Sequence, residues 1–434
     1  MNIAFTKHTL ANGLDVILHE DHSCPIVAVN VWYHVGSKNE VPGRTGFAHL
    51  FEHLMFEGSQ HYDRGYFQPL QGAGASLNGS TNADRTNYWE VVPSGALELA
   101  LWMESDRMGF LLPALTDAKF TNQRDVVLNE RRQNYENRPY GLASMAMLAA
   151  LFPPDHPYHW ATIGEIADLR AAQLDDVHAF FQRYYHPANA SIALAGDIDP
   201  ATALAVVRAY FEDLPAGPRV APVRASAALV NDVRLVLEDR VELPRLYIAW
   251  LTPAMFAPDD AELDLAADLL ANGKTSRLYR RLVFDERIAT DVSASQNSRE
   301  ITGFVQVAAT AAPGHTLAEI DRVIGEEIAR LAVDGPSDDE IERGRVQAEA
   351  HFVFRLQTVG GFGGKSDQLN AYNVLLGDAS YFERDLARYY AATHQSVQRS
   401  VKTYLVDAPR VTLSVVPRGR LELAVPGSTT AEVS

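Results

Sequence analysis

Two histidines and a glutamate occur at a spacing that could hold a metal ion and move a proton. Residues 46–56 read G-F-A-H-L-F-E-H-L-M-F, an apolar helical run that carries His49, Glu52 and His53. On a helix, His49 and His53 share one face and Glu52 lies beside them. Two imidazoles can hold one zinc ion, and the carboxylate can accept a proton from a metal-bound water whose pKa the ion lowers to about 7. This is the chemistry of peptide hydrolysis.

The order H-x-x-E-H is the reverse of the commoner H-E-x-x-H and is the signature of inverted zinc peptidases. The motif alone also fits a helix with two partly buried histidines and a capping or ion-paired glutamate. Cys24 is the only cysteine, so histidines and carboxylates would have to supply every zinc ligand. The choice between the two interpretations depends on a third ligand, a substrate strand and a suitable scaffold.

Glu130 is the candidate third ligand. A long helix is predicted over residues 116–135, with Thr116 or Asp117 as its cap, and Glu130 falls on the apolar side of that helix. A carboxylate on an apolar side needs a partner, and a metal ion would satisfy it. The alternative is an ion pair with Arg131 on the exposed flank.

A candidate substrate strand follows the histidine helix. Residues 72–82 are rich in glycine and run into a predicted strand at 86–92. We expect Asn78, Gly79 and Ser80 to lie on an edge strand that pairs with an extended peptide through main-chain hydrogen bonds. An ordinary loop and hairpin is the alternative.

The elements that position these residues begin with a hairpin. An Asn12-Gly13 turn between two apolar runs predicts it, and alternating residues predict a strand over 26–35. The histidine helix comes after a polar loop at 36–43, so the metal would lie where a strand leads into a helix.

The second half of the chain repeats this plan. It contains predicted strands at 233–237, 246–250, 303–311 and 411–416 and helices at 259–270 and 317–332. Laying the second half on the first puts Asp264, Ala267 and Asp268 at the positions of His49, Glu52 and His53, respectively. The pattern indicates a duplicated domain whose second copy has lost the metal site.

Length and composition favour two globular domains. The chain has 434 residues, of which 47% are hydrophobic and 21% charged, which is too long for one ordinary core. A proline-containing stretch with few large apolar residues marks the boundary. We therefore expect a zinc-binding catalytic domain at 1–215, a linker at 216–229 and a duplicated domain without metal ligands at 230–434.

The charge balance limits the partners. Lys plus Arg total 38 and Asp plus Glu total 55, so the net charge is 38 − 55 = −17. This excess argues against nucleic acid or an anionic membrane as the main partner and slightly favours cationic ligands. The start lacks a signal-like segment and no run of 18 apolar residues occurs, so we expect the bacterial cytoplasm, with the periplasm as the alternative.

Together these motifs resemble the pitrilysin or insulinase family of zinc peptidases, in the subgroup that includes mitochondrial processing peptidase and its bacterial relatives. The resemblance implies that His49, His53 and Glu130 bind Zn2+ and that Glu52 is the general base. It also implies an α+β fold of two homologous domains, each a mixed β-sheet with helices packed on one side, which form half of a clamshell. A second chain would then close the chamber.

One departure from the family pattern concerns the groups that grip the substrate. Members with a complete site carry, in the half that faces the zinc, an arginine followed seven residues later by a tyrosine. Laying residues 282–290 on that segment puts Val283 and Thr290 there. We expect a heterodimer in which a related, metal-free chain supplies the Arg/Tyr pair, although a shifted alignment register would also explain the departure. Gln123 stands where many relatives have a glutamate, and it could hydrogen-bond a ligand histidine.

The expected function is a zinc metalloendopeptidase that hydrolyses peptides or unfolded segments inside a chamber closed by the second chain. One alternative is a non-catalytic structural or assembly subunit of a related complex. Another is a zinc-dependent hydrolase that acts on something other than peptides, which the candidate edge strand makes less suitable because it recognises an extended main chain.

Overall fold

The computed structural model describes residues 3–433, which form two compact units. The first unit comprises residues 3–129, 162–223 and 351–384, and the second comprises residues 130–161, 224–350 and 385–433. The change of unit at 223/224 falls within the predicted linker 216–229, which contains no helix or strand. The domain limits at 1–215 and 230–434 stay a prediction, and residues 1, 2 and 434 of those ranges lie outside the described residues.

The first unit contains a six-stranded mixed sheet in the order β1-β2-β6-β3-β5-β4. Its strands are β1 Thr6–Thr9, β2 Asp15–Glu20, β3 Ile26–Tyr33, β4 Ser76–Thr81, β5 Thr86–Pro93 and β6 Ala190–Gly196. Strands β2 and β6 run parallel, and the other neighbours run antiparallel. The predicted hairpin is confirmed, because β1 and β2 pair around Gly13, which has the positive φ of 89° that its turn requires.

The second unit contains a six-stranded mixed sheet in the order β12-β7-β11-β8-β10-β9. Its strands are β7 Val233–Asp239, β8 Arg245–Thr252, β9 Ala289–Asn297, β10 Gly303–Ala311, β11 Val411–Pro417 and β12 Thr429–Thr430. The five strands from β7 to β9 in that order reproduce the order and directions of β2-β6-β3-β5-β4, including one parallel pair. The predicted pair of similar α+β folds is confirmed by this repeated topology.

Helices connect and cover the strands. In chain order the α-helices of the described residues are α1 Phe47–Leu54, α2 Phe67–Gly72, α3 Leu97–Ala114, α4 Asp117–Arg131, α5 Ala143–Leu151, α6 Ile166–Ala171, α7 Leu174–Tyr184, α8 Pro200–Phe211, α9 Asp260–Ala271, α10 Leu317–Asp334, α11 Asp338–Arg355, α12 Lys365–Leu376, α13 Phe382–Ala391 and α14 His394–Val401. Within residues 3–433, no helix combines the length and the apolar character that crossing a bilayer requires.

Each unit takes a helix from the other half of the chain. In the second unit, α5 packs against β8 and β11, and in the first unit, α12 packs against β3 and β6. Helix α12 docks through polar contacts, since Asp367 accepts hydrogen bonds from Trp32 Nε1 at 2.8 Å and from Asn87 Nδ2 at 3.0 Å. Asn370 donates to Asn30 Oδ1 at 2.9 Å. The two halves of the sequence therefore exchange segments, which the linear domain limits do not include.

Candidate metal centre

Helix α1 presents its polar side chains from a fixed position. The carboxylate of Glu40 accepts hydrogen bonds from the backbone N–H groups of Gly46 at 3.0 Å and Ala48 at 2.8 Å, which satisfies donors that the first helical turn leaves free. Gly46 has a φ of 86° and lies against the backbone of Gly164. On the opposite face of the helix Phe51 is fully buried among aromatic rings. The local sequence thus fixes one face and leaves the other for chemistry.

The three predicted metal ligands come together. One ligand atom each of His49, His53 and Glu130 lies within 4.8 Å of the other two, and all three side chains are half-buried. Glu130 is the second-to-last residue of helix α4. No other group of three or more potential ligands occurs within residues 3–433.

The donor set fits a zinc ion. Two imidazole nitrogens and one carboxylate oxygen form the His₂Glu set found in catalytic zinc sites, which keep a fourth position for water or substrate. With bonds of about 2.0–2.2 Å, a tetrahedral ion holds its ligand atoms about 3.4 Å apart. The ligand atoms of this structure lie within 4.8 Å of one another, compared with about 3.4 Å around a bound ion.

Glu130 stands where α4 changes its winding. A π-helical turn at Arg132–Glu136 continues the helix, and such turns within α-helices are frequent at functional sites. Asn134 Nδ2 donates to Glu130 Oε1 at 3.3 Å. The neighbouring Arg131 is buried, with its Nε 3.5 Å from Glu136 Oε1. A hydrogen-bonded carboxylate has a restricted orientation, which suits a metal ligand.

Glu52 and His53 line a cleft of about 390 Å³ in the first unit. Asn78 of β4 and Gln123 of α4 line the same cleft, so the predicted base and the predicted substrate strand share one space. Gln123 donates a hydrogen bond to the carboxylate of Glu57, which assigns it a partner other than a ligand histidine. The cleft therefore brings the predicted base, one predicted metal ligand and a residue of β4 together.

Strand β4 is the last strand of the first sheet, and β5 is its neighbour in that sheet. At the hairpin, Asn82 N–H donates to Arg85 O at 3.0 Å. The alternation of an antiparallel ladder then turns the main-chain groups of Asn78 and Ser80 toward β5 and those of Gly79 toward the outer edge. The outward N–H of Gly79 donates to Asn78 Oδ1 at 2.8 Å, a bond that a pairing peptide would exchange.

Close packing explains why residue 79 is a glycine. A Cβ there would lie 3.1 Å from Tyr88 Cδ1 and 3.2 Å from the ring of Phe56, which is tighter than normal van der Waals contact. Phe56 also lines the cleft beside His53. Gly79 therefore lets the strand approach the wall of the cleft.

Sequence reasoning missed Arg85, which connects β4 with the catalytic region. Its guanidinium donates to Ser80 O at 2.7 Å and to Ser80 Oγ at 2.6 Å. Burial lowers the pKa of Arg85, while the carboxylates of Asp367 and Glu52 act in the opposite direction. Asp367, whose carboxylate interacts with Arg85, lies on α12. It is about 280 residues later in the sequence than Asn87, which also contacts it, so no local sequence pattern could have indicated this environment of Arg85.

Arg107 is a second residue that the sequence did not indicate. It packs against Phe56, which lines the cleft. It is fully buried, and its Nε donates to Glu104 Oε2 at 2.9 Å. Its guanidinium carbon lies 4.0 Å from the ring centroid of Tyr66, 4.2 Å from that of Tyr88 and 5.5 Å from that of Phe56. One buried cation thus holds the three rings by electrostatic attraction.

The second unit has no counterpart of this centre. Asp264 accepts a hydrogen bond from the hydroxyl of Tyr389 at 2.8 Å, and Asp268 accepts one from Asn272 Nδ2 at 3.1 Å. Val283 packs at the edge of the second core, and Thr290 Oγ1 lies 3.2 Å from Asp291 Oδ2. The metal cluster of the described residues belongs to helices α1 and α4 alone.

This fold and this donor set define the class of inverted zinc peptidases. Residues 15–155 match the family model described as Insulinase (Peptidase family M16), and residues 171–347 match the model described as Peptidase M16 inactive domain. The chain belongs to this insulinase, or pitrilysin, family. The first match includes all three candidate ligands and the candidate base.

Curated relatives extend over most of the chain. An uncharacterized zinc protease of Mycobacterium leprae is 30% identical over 77% of this chain and 75% of its own length. The zinc protease PqqE of Helicobacter pylori is 27% identical over 81% of this chain and 80% of its own. A protein of Arabidopsis thaliana named as a probable mitochondrial-processing peptidase subunit beta is 24% identical over 92% and 76%, respectively.

The fold also matches a solved structure over nearly its whole length. The crystal structure of a protease from Helicobacter pylori has a TM-score of 0.86 at 24% identity and covers 96% of this chain and 100% of its own. At that identity the likeness establishes the fold.

Proposed function

We propose that this chain is a zinc-dependent endopeptidase that hydrolyses peptides or unfolded segments in an extended conformation. The observation that carries the proposal is the convergence of His49, His53 and Glu130 within 4.8 Å. Glu52 shares a cleft with the edge strand at Asn78, and relatives that cover most of the chain are named zinc proteases.

Each residue has a role in this hydrolysis. Zinc held by His49, His53 and Glu130 would supply Lewis acidity at the scissile carbonyl. Glu52 accepts the proton of the attacking water and then delivers it to the leaving amine. The outer edge of β4 at Gly79 holds the substrate main chain in an extended conformation, which keeps the carbonyl within reach of the attacking water.

A second chain completes the site in this proposal. The positions where the family's arginine and tyrosine would fall hold Val283 and Thr290, so a related, metal-free subunit would supply that pair and close a chamber. The Arabidopsis relative is itself named as a subunit. Expression of the chain alone and together with a related metal-free chain tests this step. Full activity of the isolated chain would contradict the heterodimer.

The alternative is a non-catalytic assembly subunit, which is favoured by the match to a domain described as inactive at 171–347. That match lies outside the candidate ligands and base, which supports the enzyme. Assays of an internally quenched peptide library, with and without a zinc chelator, decide between the two. We expect chelator-sensitive cleavage inside the peptides that zinc restores. Absence of cleavage with zinc bound and with the partner present would overturn the proposal that the chain is an enzyme.

Location in the bacterial cytoplasm stays a prediction.

A further inference from the structure

The second unit contains a polar pocket that the hydrolytic mechanism does not use. It has a volume of about 490 Å³ and is lined by Glu130, the loop that follows α4, and the strands β8 and β10. This volume lies within the range of about 300–1,000 Å³ that is typical of ligand sites. Glu130 lines this pocket, so the pocket lies next to a candidate metal ligand.

Two guanidinium groups give the pocket its charge. Arg138 and Arg245 line it together with the polar side chains of Tyr247 and Gln306. Glu130 is the carboxylate of this lining, and a metal ion would neutralise it. The pocket is therefore locally cationic, in contrast to the net charge of −17 for the whole chain.

The position of Arg245 is fixed by its neighbours. Its Nε donates to Thr310 Oγ1 at 2.7 Å, and its guanidinium carbon lies 4.0 Å from the ring centroid of Tyr140. Asp291 Oδ2 lies 3.8 Å from Nη2, and 55% of the Asp291 side chain is exposed. At that distance and exposure Asp291 offsets little of the charge.

Tyr140 is held in a conformation that suits a binding site. Its φ is 62°, which is uncommon for a residue other than glycine and for an aromatic residue indicates a locally enforced backbone. Its backbone N–H donates to Asp239 Oδ2 at 2.7 Å, and its hydroxyl donates to Leu243 O at 2.8 Å. Asp239 also accepts from the backbone N–H of Arg240 at 2.6 Å, so both of its carboxylate oxygens accept hydrogen bonds.

We propose that this pocket binds a carboxylate of the peptide substrate, supplied by an aspartate or glutamate side chain or by the C-terminus. The proposal rests on the proposed function, because Glu130 places the pocket beside the scissile bond. Arginine is the side chain best suited to a carboxylate, since its planar donors match the two oxygens. In this proposal the cationic pocket makes the protein prefer substrates with a carboxylate at one position. The net charge of the whole chain alone would instead suggest a preference for cationic ligands.

Peptide pairs that differ by one charge test the proposal. The probes are internally quenched peptides with a single glutamate at successive positions, their glutamine counterparts, and versions with a free or an amidated C-terminus. We expect one glutamate position, or the free C-terminus, to raise kcat/KM about tenfold, as for one charge-assisted hydrogen bond. The glutamate and glutamine pairs test a side-chain carboxylate, and the free and amidated pairs test the C-terminal carboxylate. Equal rates within every pair, or faster cleavage of the glutamine and amidated peptides, would overturn the proposal.

Variants assign the effect to the pocket. Arg138→Gln, at an exposed position, and Arg245→Gln should each remove most of the preference, measured as the ratio of kcat/KM for the glutamate and glutamine peptides. Arg280→Gln is the matched control, because Arg280 is 74% exposed and does not line the pocket. A preference that survives both pocket variants would contradict the assignment. Should Arg245→Gln fold poorly, Arg138→Gln decides.

A binding measurement separates this proposal from the proposed function. Fluorescence anisotropy of the glutamate and glutamine peptides on the zinc-loaded Glu52→Gln protein needs no turnover. Tighter binding of the glutamate peptide that Arg138→Gln abolishes supports the pocket even if no peptide is cleaved. Equal binding of the two peptides overturns it, whereas loss of hydrolysis with selective binding counts against the peptidase only.

Discussion

The imidazole rings of His49 and His53 lie edge to face, with their centroids 4.8 Å apart and their planes at 80°. Both rings project from one short helix whose first turn is bonded to Glu40 and whose other face is buried. One face of α1 therefore carries both imidazole rings side by side. Glu130, on another helix, is the ligand that completes the set.

The first prediction concerns Glu52 as the general base. Glu52→Gln keeps the shape and the hydrogen-bonding capacity of the side chain but cannot take a proton at neutral pH. We expect turnover to fall by a factor of about 10²–10⁴, the usual contribution of a general base, with zinc content unchanged. Glu212→Gln, an exposed position at the end of α8, is the control and should behave as wild type. Retained turnover in Glu52→Gln would refute the base.

The second prediction concerns Arg85. Arg85→Met removes both hydrogen bonds to Ser80 and the favourable charge interaction with Asp367. We expect the free energy of unfolding to fall by about 1–3 kcal/mol and KM for peptides to rise, because β4 loses its anchor. Urea unfolding and steady-state kinetics measure the two effects. Unchanged stability and KM would show that Arg85 does not hold the strand.

The third prediction concerns the close approach at Gly79. Gly79→Ala forces a methyl group against Tyr88 and Phe56. We expect a loss of about 1–3 kcal/mol in unfolding free energy, typical of overpacking, together with weaker peptide binding. Gly95→Ala, where nothing lies within 4 Å of the added carbon, provides the comparison. Equal stability of the two variants would mean that the strand moves freely.

The fourth prediction concerns the docking of α12 in the first unit. Lys365 Nζ lies 2.6 Å from Asp21 Oδ2, and this hydrogen bond is the largest influence that lowers the pKa of Asp21. Because that pKa is lower in the folded chain, the stabilisation is present above the unfolded value of about 3.9 and is lost as pH falls through the folded value. Lys365→Met should cost about 1 kcal/mol at pH 7.

Urea unfolding of the wild type and Lys365→Met between pH 7 and pH 2 measures this dependence. The difference between the two proteins should be full at pH 7 and shrink toward pH 2, because Asp21 of the folded variant takes up a proton at a higher pH than Asp21 of the folded wild type. A difference that stays constant down to pH 2 would show that the lysine stabilises the fold through its hydrocarbon chain instead.

The sequence predicted the parts of the site that depend on local spacing. His49, Glu52 and His53 share one helix, so their period alone placed them together, and Glu130 stood out as a carboxylate on an apolar helical face. Alternation over residues 26–35 likewise predicted a strand, and β3 lies there at Ile26–Tyr33. These features depend on the geometry of single elements.

The remaining features depend on contacts that are distant in sequence. The exchange of α5 and α12 between the halves follows from tertiary packing, and α12 docks through polar residues that give no hydrophobic signal. Arg85 and Arg107 are charged residues that no composition rule places in an interior. The pocket at Arg245 is also lined by Tyr140, whose positive φ its residue type does not predict.

Zinc analysis of the purified chain tests the central claim most directly. Inductively coupled plasma mass spectrometry after exhaustive dialysis should find about one zinc per chain in the wild type and in Glu52→Gln, as expected for one His₂Glu site. Glu130→Gln and His53→Ala should each retain only a small fraction of it, because each removes a ligand. Zinc absent from the wild type, or fully retained without Glu130, would contradict the account.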